Sequence, residues 1–167
     1  VTLGPFAGLL CILAGLSTVL IDLMGISISG FGYFFAIIMI GNLLASVAAG
    51  KLANLLDSFK LISIGAIICF LSGFTACVLA VSGSMNPFSI VLPAAGFMIG
   101  FPLVVSAATA EAMSPFGLIA GKASSMIGFI QLGCGAVTSL ILGSVSNDTQ
   151  FPLVIALSLS GTLTIIP

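Results

Sequence analysis

The stretch that decides the fold runs from Glu111 to Gln131 and reads EAMSPFGLIAGKASSMIGFIQ. The Ser114-Pro115 pair interrupts helical order, and Ala120 restarts it. No ionisable side chain then occurs at positions 123–145, which is long enough for a helix to cross a bilayer. The pattern therefore predicts a membrane span that the chain enters from a polar turn.

This stretch also fixes the membrane depth of a polar side chain. A lysine at the bilayer centre costs roughly 2.5 to 3.5 kcal/mol, so Lys122 is predicted to lie at a membrane surface. Gln131 follows nine residues later. At about 1.5 Å per helical residue it lies roughly 13 Å deeper, near the midplane of a ~30 Å hydrocarbon layer. An amide at that depth needs a partner or a watery cavity, and Gln131 is the first candidate to line a substrate cavity.

The composition assigns the whole chain to the membrane. Of its 167 residues, 60% are hydrophobic and 4% are charged, with a mean hydropathy of +1.42. Soluble domains carry about 25% charged residues because water must wet their surface. The sequence is that of an integral membrane protein with the lipid bilayer as a partner. A net charge of −1 and three scattered lysines exclude nucleic acid as a partner.

Six apolar runs predict helices at residues 3–24, 31–49, 61–81, 88–110, 123–145 and 151–167. None of them shows the alternation of a β-barrel strand. The predicted fold is all-α, a multi-pass transmembrane helical bundle of about six spans that forms a single half-domain over residues 1–167. The sixth run is short and the chain opens on Val1, so we expect a piece of a longer protein.

Basic residues occur in alternate loops. Lys51 and Lys60, with Asp57 between them, lie in the second loop, and Lys122 lies in the fourth. By the positive-inside rule these loops are predicted to be cytoplasmic.

Asn42 is the second cavity candidate. It lies nine residues from Lys51, which gives it the same depth as Gln131 and predicts a shared polar layer. The alternative is that each amide only bonds a neighbouring helix, a contact worth about 0.6 kcal/mol. Weaker candidates are Ser106 and Thr109, because a hydroxyl can bond its own helix backbone. Asp22 is also weaker, since its proximity to the break at Gly25 favours an interfacial, solvated position.

Several classes of chemistry have no residues to support them. The chain has no histidine, which excludes Ser-His, Cys-His and His-metal arrangements, so we expect no enzyme, no metal site and no cofactor. The cysteines lack a C-x-x-C pair and are predicted to pack as small hydrophobes. The acidic residues lie near predicted helix ends or in loops, so we expect no proton-coupling carboxylate in this chain.

Small residues predict where helices approach closely. Gly41, Ala45 and Ala49 recur at intervals of four, and Gly96 and Gly100 repeat the interval. Such stripes let helix backbones come together in lipid.

The segment 120–131 resembles a family signature. Residues 120–125, AGKASS, followed by residues 128–131, GFIQ, resemble the A-G-T-A-S-A-L-x-G-F-x-Q motif that opens the eleventh span of Bcr/CflA-type drug-resistance transporters of the major facilitator superfamily. Residues 31–36 are similar to the start of the eighth span, and residues 50–52 to its exit. Lys122 departs from the usual threonine, and the arginines of the loop after the eighth span are missing.

The resemblance implies spans seven to twelve of such a transporter, its C-terminal half. It implies proton-driven export of drugs or other small amphipathic molecules by alternating access in the bacterial cytoplasmic (inner) membrane. The implied partners are the substrate, protons and the N-terminal half of the transporter. Three-helix repeats would be inverted within the half, and the coupling acids would lie in the other half.

Two rival interpretations stay open. One is an uptake carrier for a small metabolite in the same superfamily, which usually needs charged or densely hydrogen-bonding groups at the midplane. The other is a non-transporting membrane subunit or scaffold, which would need no polar layer.

Overall fold

The computed structural model describes residues 2–82, 86–145 and 151–165. Within these residues the chain forms six α-helices: α1 Leu3–Ser17, α2 Ile28–Leu52, α3 Ser58–Val81, α4 Pro87–Met113, α5 Ala120–Val145 and α6 Phe151–Ile165. Five helical segments, in the regions of α1 to α5, are long and apolar enough to cross a membrane. The prediction of an all-α, multi-pass membrane bundle is confirmed.

The first helix ends differently from the prediction. A six-residue π-helix, Thr18–Leu23, continues α1. Gly25 then adopts a φ of +64°, which a residue without Cβ tolerates, and its N–H donates to the carbonyl of Ile21 at 3.1 Å. The predicted break extended to Gly30, which is wrong. The hydroxyl of Ser27 accepts the N–H of Gly30 at 3.2 Å and caps α2, so the helix begins at Ile28.

The junction between α4 and α5 follows the prediction more closely. After α4 ends at Met113, a 3₁₀ segment covers Ser114–Ile119, and α5 begins at Ala120. Phe116 breaks the helical dihedrals, with φ −105° and ψ 26°. At this junction α4 and α5 are each about three residues longer than the predicted spans 88–110 and 123–145, because the chain stays helical beyond the apolar run.

The core lies between α1, α3, α4 and α6. Its fully buried side chains include Ile12 and Leu16 from α1, Cys69 from α3 and Phe97 from α4. Helices α2 and α5 lie on the flanks, where α2 packs on α4 and α5 packs on α1. In each of these two flanking helices only 11% of the most apolar 18-residue segment is buried, compared with 56% for α4.

The packing partners repeat after three helices. Helices α1 to α3 form the first unit, and α4 to α6 form the second. Helix α1 of the first unit packs on α5 and α6 of the second, and α4 of the second packs on α2 and α3 of the first. Helices α3 and α6 pack on each other. Exchanging α1, α2 and α3 for α4, α5 and α6 leaves these main pairs unchanged. Because each unit has an odd number of helices, a chain that crosses with each of them starts its second unit from the opposite side of the membrane.

Close contacts between α3 and α6 are reciprocal in the same way. A Cβ added at Gly73 would lie 2.9 Å from the carbonyl oxygen of Leu157, and one added at Gly161 would lie 3.0 Å from that of Cys69. Gly73 and Gly161 are 88 residues apart, as are Cys69 and Leu157. The tripeptide Leu-Ser-Gly ends at both glycines. The two helices therefore meet at equivalent positions.

A second reciprocal pair joins these helices to α1 and α4. A Cβ added at Gly8 would lie 2.7 Å from the hydroxyl oxygen of Ser160, and one added at Gly96 would lie 2.5 Å from that of Ser72. Again the corresponding positions are 88 residues apart, and the pattern Pro-x-Ala-Gly ends at both Gly8 and Gly96. The same spacing therefore relates four of the six helices.

The predicted small-residue stripes lie at helix contacts. A Cβ added at Gly100 would lie 2.8 Å from the carbonyl oxygen of Gly65 on α3. Ala45 and Ala49 of α2 are buried. The cysteines are free, and Cys11 and Cys69 are buried in the core, as the packing interpretation predicts.

Candidate functional site: two amides within the membrane

Asn42 bonds across the contact between α2 and α4. Its side-chain amide Nδ2 donates to the carbonyl oxygen of Met98 at 2.9 Å and approaches the Met98 Sδ at 3.8 Å. Asn42 is half-buried, whereas Met98 has no exposed surface. The amide N–H of Asn42 is therefore engaged in a helix-to-helix hydrogen bond.

Pro102 explains why the carbonyl of Met98 can accept this bond. In an α-helix a carbonyl accepts the N–H of the residue four positions later, and for Met98 that residue is Pro102, which has no N–H. Neighbouring helices commonly satisfy a carbonyl that a proline has freed inside a membrane. Asn42 supplies the donor that Pro102 lacks, which is the alternative role weighed for the predicted amides.

Gln131 is in a different situation on α5. Its exposed fraction is 6%, and within the described part of the chain its Nε2 has no hydrogen-bond partner. One turn further along α5, a Cβ added at Gly135 would meet the side chain of Leu10, so this face of the helix packs on α1. A buried amide donor without an acceptor usually costs about 1 to 3 kcal/mol, so its presence requires an explanation.

The backbone of α1 offers Gln131 no counterpart of the freed Met98 carbonyl. Gln131 is not the exact counterpart of Asn42, because a spacing of 88 residues would place Ile130 there, and one residue rotates a side chain by about 100° around a helix. At the spacing of 88, Met98 corresponds to Leu10 and Pro102 corresponds to Ala14. Ala14 has an N–H and lies inside α1, so the Leu10 carbonyl has its helical donor. At this place α1 offers no carbonyl freed by a proline.

The weaker candidates make local contacts or lie partly outside the residues that the structure describes. The Ser106 hydroxyl donates to the carbonyl of Pro102 at 2.6 Å in its own helix. Thr109 is half-buried on α4. The backbone of Asp22 belongs to the π-helix, but its side chain lies outside the described residues. Their predicted cavity roles stay predictions.

The charged residues of the predicted cytoplasmic loops are exposed. Lys51 lies in the last turn of α2, and Lys122 lies in the first turn of α5. Lys60 and Asp57 form an ion pair with 3.1 Å between Nζ and Oδ2, and their side chains are 67% and 76% exposed. In the described ranges, no group of three or more histidine, cysteine or acidic side chains could hold a metal ion.

Comparison with known proteins gives no relative: no family model, no curated protein and no solved structure matches this chain. A functional assignment therefore depends on the residues and the packing described above.

The sequence analysis did not predict which group accepts the hydrogen bond of Asn42, although Pro102 indicated part of the answer. A proline inside a predicted span already indicates that the carbonyl four residues earlier lacks its donor. For Pro102 that carbonyl belongs to Met98, but only the packing of α2 on α4 shows which side chain reaches it.

Proposed function

We propose that this chain is half of a secondary active transporter that exports drugs or other small amphipathic molecules in exchange for protons, by alternating access. The reciprocal packing of two three-helix units carries the proposal. Inverted repeats of this kind recur in secondary transporters, where one unit rocks against another around a site near the midplane. The signature-like segment at 120–131 adds support and favours the bacterial cytoplasmic membrane.

Gln131 is the proposed substrate-contacting residue. Its Nε2 is buried and has no partner within the described part of the chain, so it can donate to an acceptor on a bound molecule. A ligand carbonyl, ether or hydroxyl oxygen would satisfy it. A scaffold would gain nothing from keeping such a donor, because an apolar side chain of similar size avoids the desolvation cost. The amide therefore favours transport over the scaffold alternative.

The exposed sides of α2 and α5 suggest where the other half would pack. These helices bury the smallest shares of their most apolar 18-residue segments, and each packs mainly on one helix of the core. In the proposal, a second six-helix half covers these exposed sides, while Gln131, on the side of α5 that faces α1, contacts the substrate within this half. The lysine-bearing ends at Lys51 and Lys122 would face the cytoplasm.

The test is transport by the Gln131→Leu variant of the complete transporter. Everted vesicles would receive an imposed pH gradient and a panel of fluorescent amphipathic compounds, half with and half without an oxygen acceptor. We expect the amount of inserted protein to stay the same and the compounds with an acceptor to lose several-fold more transport than the others. Leu132→Met, on an exposed side chain one residue further, is the matched control.

Two outcomes would contradict the proposal. If the unmodified protein moved none of the compounds in response to the gradient, the transport function itself would be wrong. If Gln131→Leu removed protein from the membrane but left the relative transport of the panel unchanged, the amide would have a structural role only.

A further inference from the structure

We propose that Asn42 is a positioning residue that fixes α2 on α4 through the carbonyl freed by Pro102. As a result α2 and α4 move as one body, whereas α5 can shift on α1. The proposal goes beyond the transport function, because it concerns which helix pair is rigid and holds whatever the substrate is.

The bond lies in the middle of the α2–α4 contact. Ile38, one turn before Asn42, has no exposed surface, and Ala45, nearly one turn after it, is 7% exposed. Met98 and Pro102 are buried on the facing side of α4. Water therefore has poor access to the Met98 carbonyl.

The Met98 carbonyl has no donor in its own helix. Because Pro102 lacks an N–H, losing the Asn42 amide would leave a buried acceptor without its partner. Moving α2 along or around α4 would break this bond. A displacement of α2 relative to α4 therefore costs free energy, because it leaves the Met98 carbonyl oxygen without a donor.

Within the described residues, no such bond is found where α5 packs on α1. The Nε2 of Gln131 has no partner there, and Gly135 meets the apolar side chain of Leu10. The contact at Gly135 is apolar and has no hydrogen bond that fixes one register of α5 on α1. The two flanking helices should therefore differ in mobility.

A double-mutant cycle tests the bond without reference to transport. Asn42→Ala, Pro102→Ala and the double variant would be unfolded reversibly in mixed micelles. We expect Asn42→Ala to lower the folding equilibrium constant at least fivefold. In the Pro102→Ala background the same change should cost less than twofold, because residue 102 then has an N–H for the Met98 carbonyl.

Pro93 supplies the matched control. It also lies inside α4, nine residues before Pro102. In the Pro93→Ala background, Asn42→Ala should keep its full effect. An equal cost of Asn42→Ala in all three backgrounds would overturn the proposed pairing with the proline site.

Spin-label distances test mobility and also serve if Pro102→Ala does not fold. Noncanonical spin-labelled residues would be placed at the exposed positions Ile40 and Leu92 for the α2–α4 pair, and Leu140 and Leu13 for the α5–α1 pair. We expect a narrow α2–α4 distribution, a broader α5–α1 distribution, and a clear broadening of the first by Asn42→Ala. Equal widths for the two pairs, or no broadening in the variant, would overturn the proposal.

Discussion

The two three-helix units of this chain pack alike, but the amide side chains on their flanking helices differ in hydrogen bonding. In the first unit α2 carries Asn42, which bonds the Met98 carbonyl of α4. In the second unit α5 carries Gln131, which is buried and whose Nε2 has no partner in the described part of the chain. Both amides were predicted at the same depth, and both lie on the flanking helix of their unit.

The difference has a local cause. The helix facing Asn42 has a proline at position 102, whereas α1, on which α5 packs, has Ala14 at the position 88 residues earlier. One backbone N–H decides whether the facing carbonyl is available. The comparison teaches that an amide beside a helix with a missing backbone donor can join the two helices, as Asn42 does.

The largest expected effect concerns what the two units share. Gly73→Val and Gly161→Val should each lower the free energy of unfolding by about 2 to 3 kcal/mol, because the added side chain would press on a backbone carbonyl of the facing helix. The two losses should agree within about 1 kcal/mol, since their contacts are reciprocal. Reversible unfolding in mixed micelles measures both.

Gly128 on α5 is the control for this pair. A Cβ added there would meet nothing within 4 Å, so Gly128→Val should cost less than about 1 kcal/mol. If Gly73→Val were severe while Gly161→Val was tolerated, the reciprocal contact between α3 and α6 would be contradicted.

An effect of intermediate size distinguishes the two amides, because replacing each by leucine should change the free energy of unfolding differently. Asn42→Leu should lower the free energy of unfolding by about 1 to 2 kcal/mol, because the Met98 carbonyl loses its donor. Gln131→Leu should leave it unchanged or raise it by about 1 kcal/mol, because a buried donor without a partner is removed. Thermal unfolding of the two variants, measured side by side, makes the comparison.

A similar loss in both variants would break the comparison. It would show that Gln131 also has an acceptor when the protein is in the membrane. The availability of the amide for a ligand would then have to be abandoned.

The sequence predicted the fold because its signals are local. Runs without charges determine the spans, and the Ser114-Pro115 turn places the restart of α5 at Ala120. The depths of Asn42 and Gln131 were also predicted by counting residues, because a helix has a fixed rise, and these depths stay predictions. What counting cannot give is rotation about the helix axis, which is set by packing and decides what each side chain faces.

The repeat was missed for a related reason. Its letters are short patterns, Leu-Ser-Gly and Pro-x-Ala-Gly, that recur at 88 residues in a chain with 20 glycines. Such patterns acquire meaning only when Gly73 and Gly161 are seen to meet equivalent carbonyls. The start of α2 was mispredicted because Ser27, which looked like part of a break, is the residue that caps the helix.

The smallest change in the free energy of unfolding is expected at the charged surface, where the difference between the two units has no influence. Asp57 lies just before α3 and pairs with Lys60 at 3.1 Å, but both side chains are more than half exposed and Asp57 makes no capping hydrogen bond. Exposed pairs three residues apart contribute about 0.5 kcal/mol or less, and salt weakens them. Asp57→Asn should therefore change the free energy of unfolding by less than about 0.5 kcal/mol at low salt and by nothing measurable near 1 M salt.

Unfolding of the variant and the parent at the two salt concentrations measures this, with Lys51→Gln as a control for removing one exposed charge without breaking the pair. A loss well above 1 kcal/mol that persisted at high salt would mean that the loop between α2 and α3 fixes the first unit, and the difference between the units could then no longer be assigned to the two amides alone.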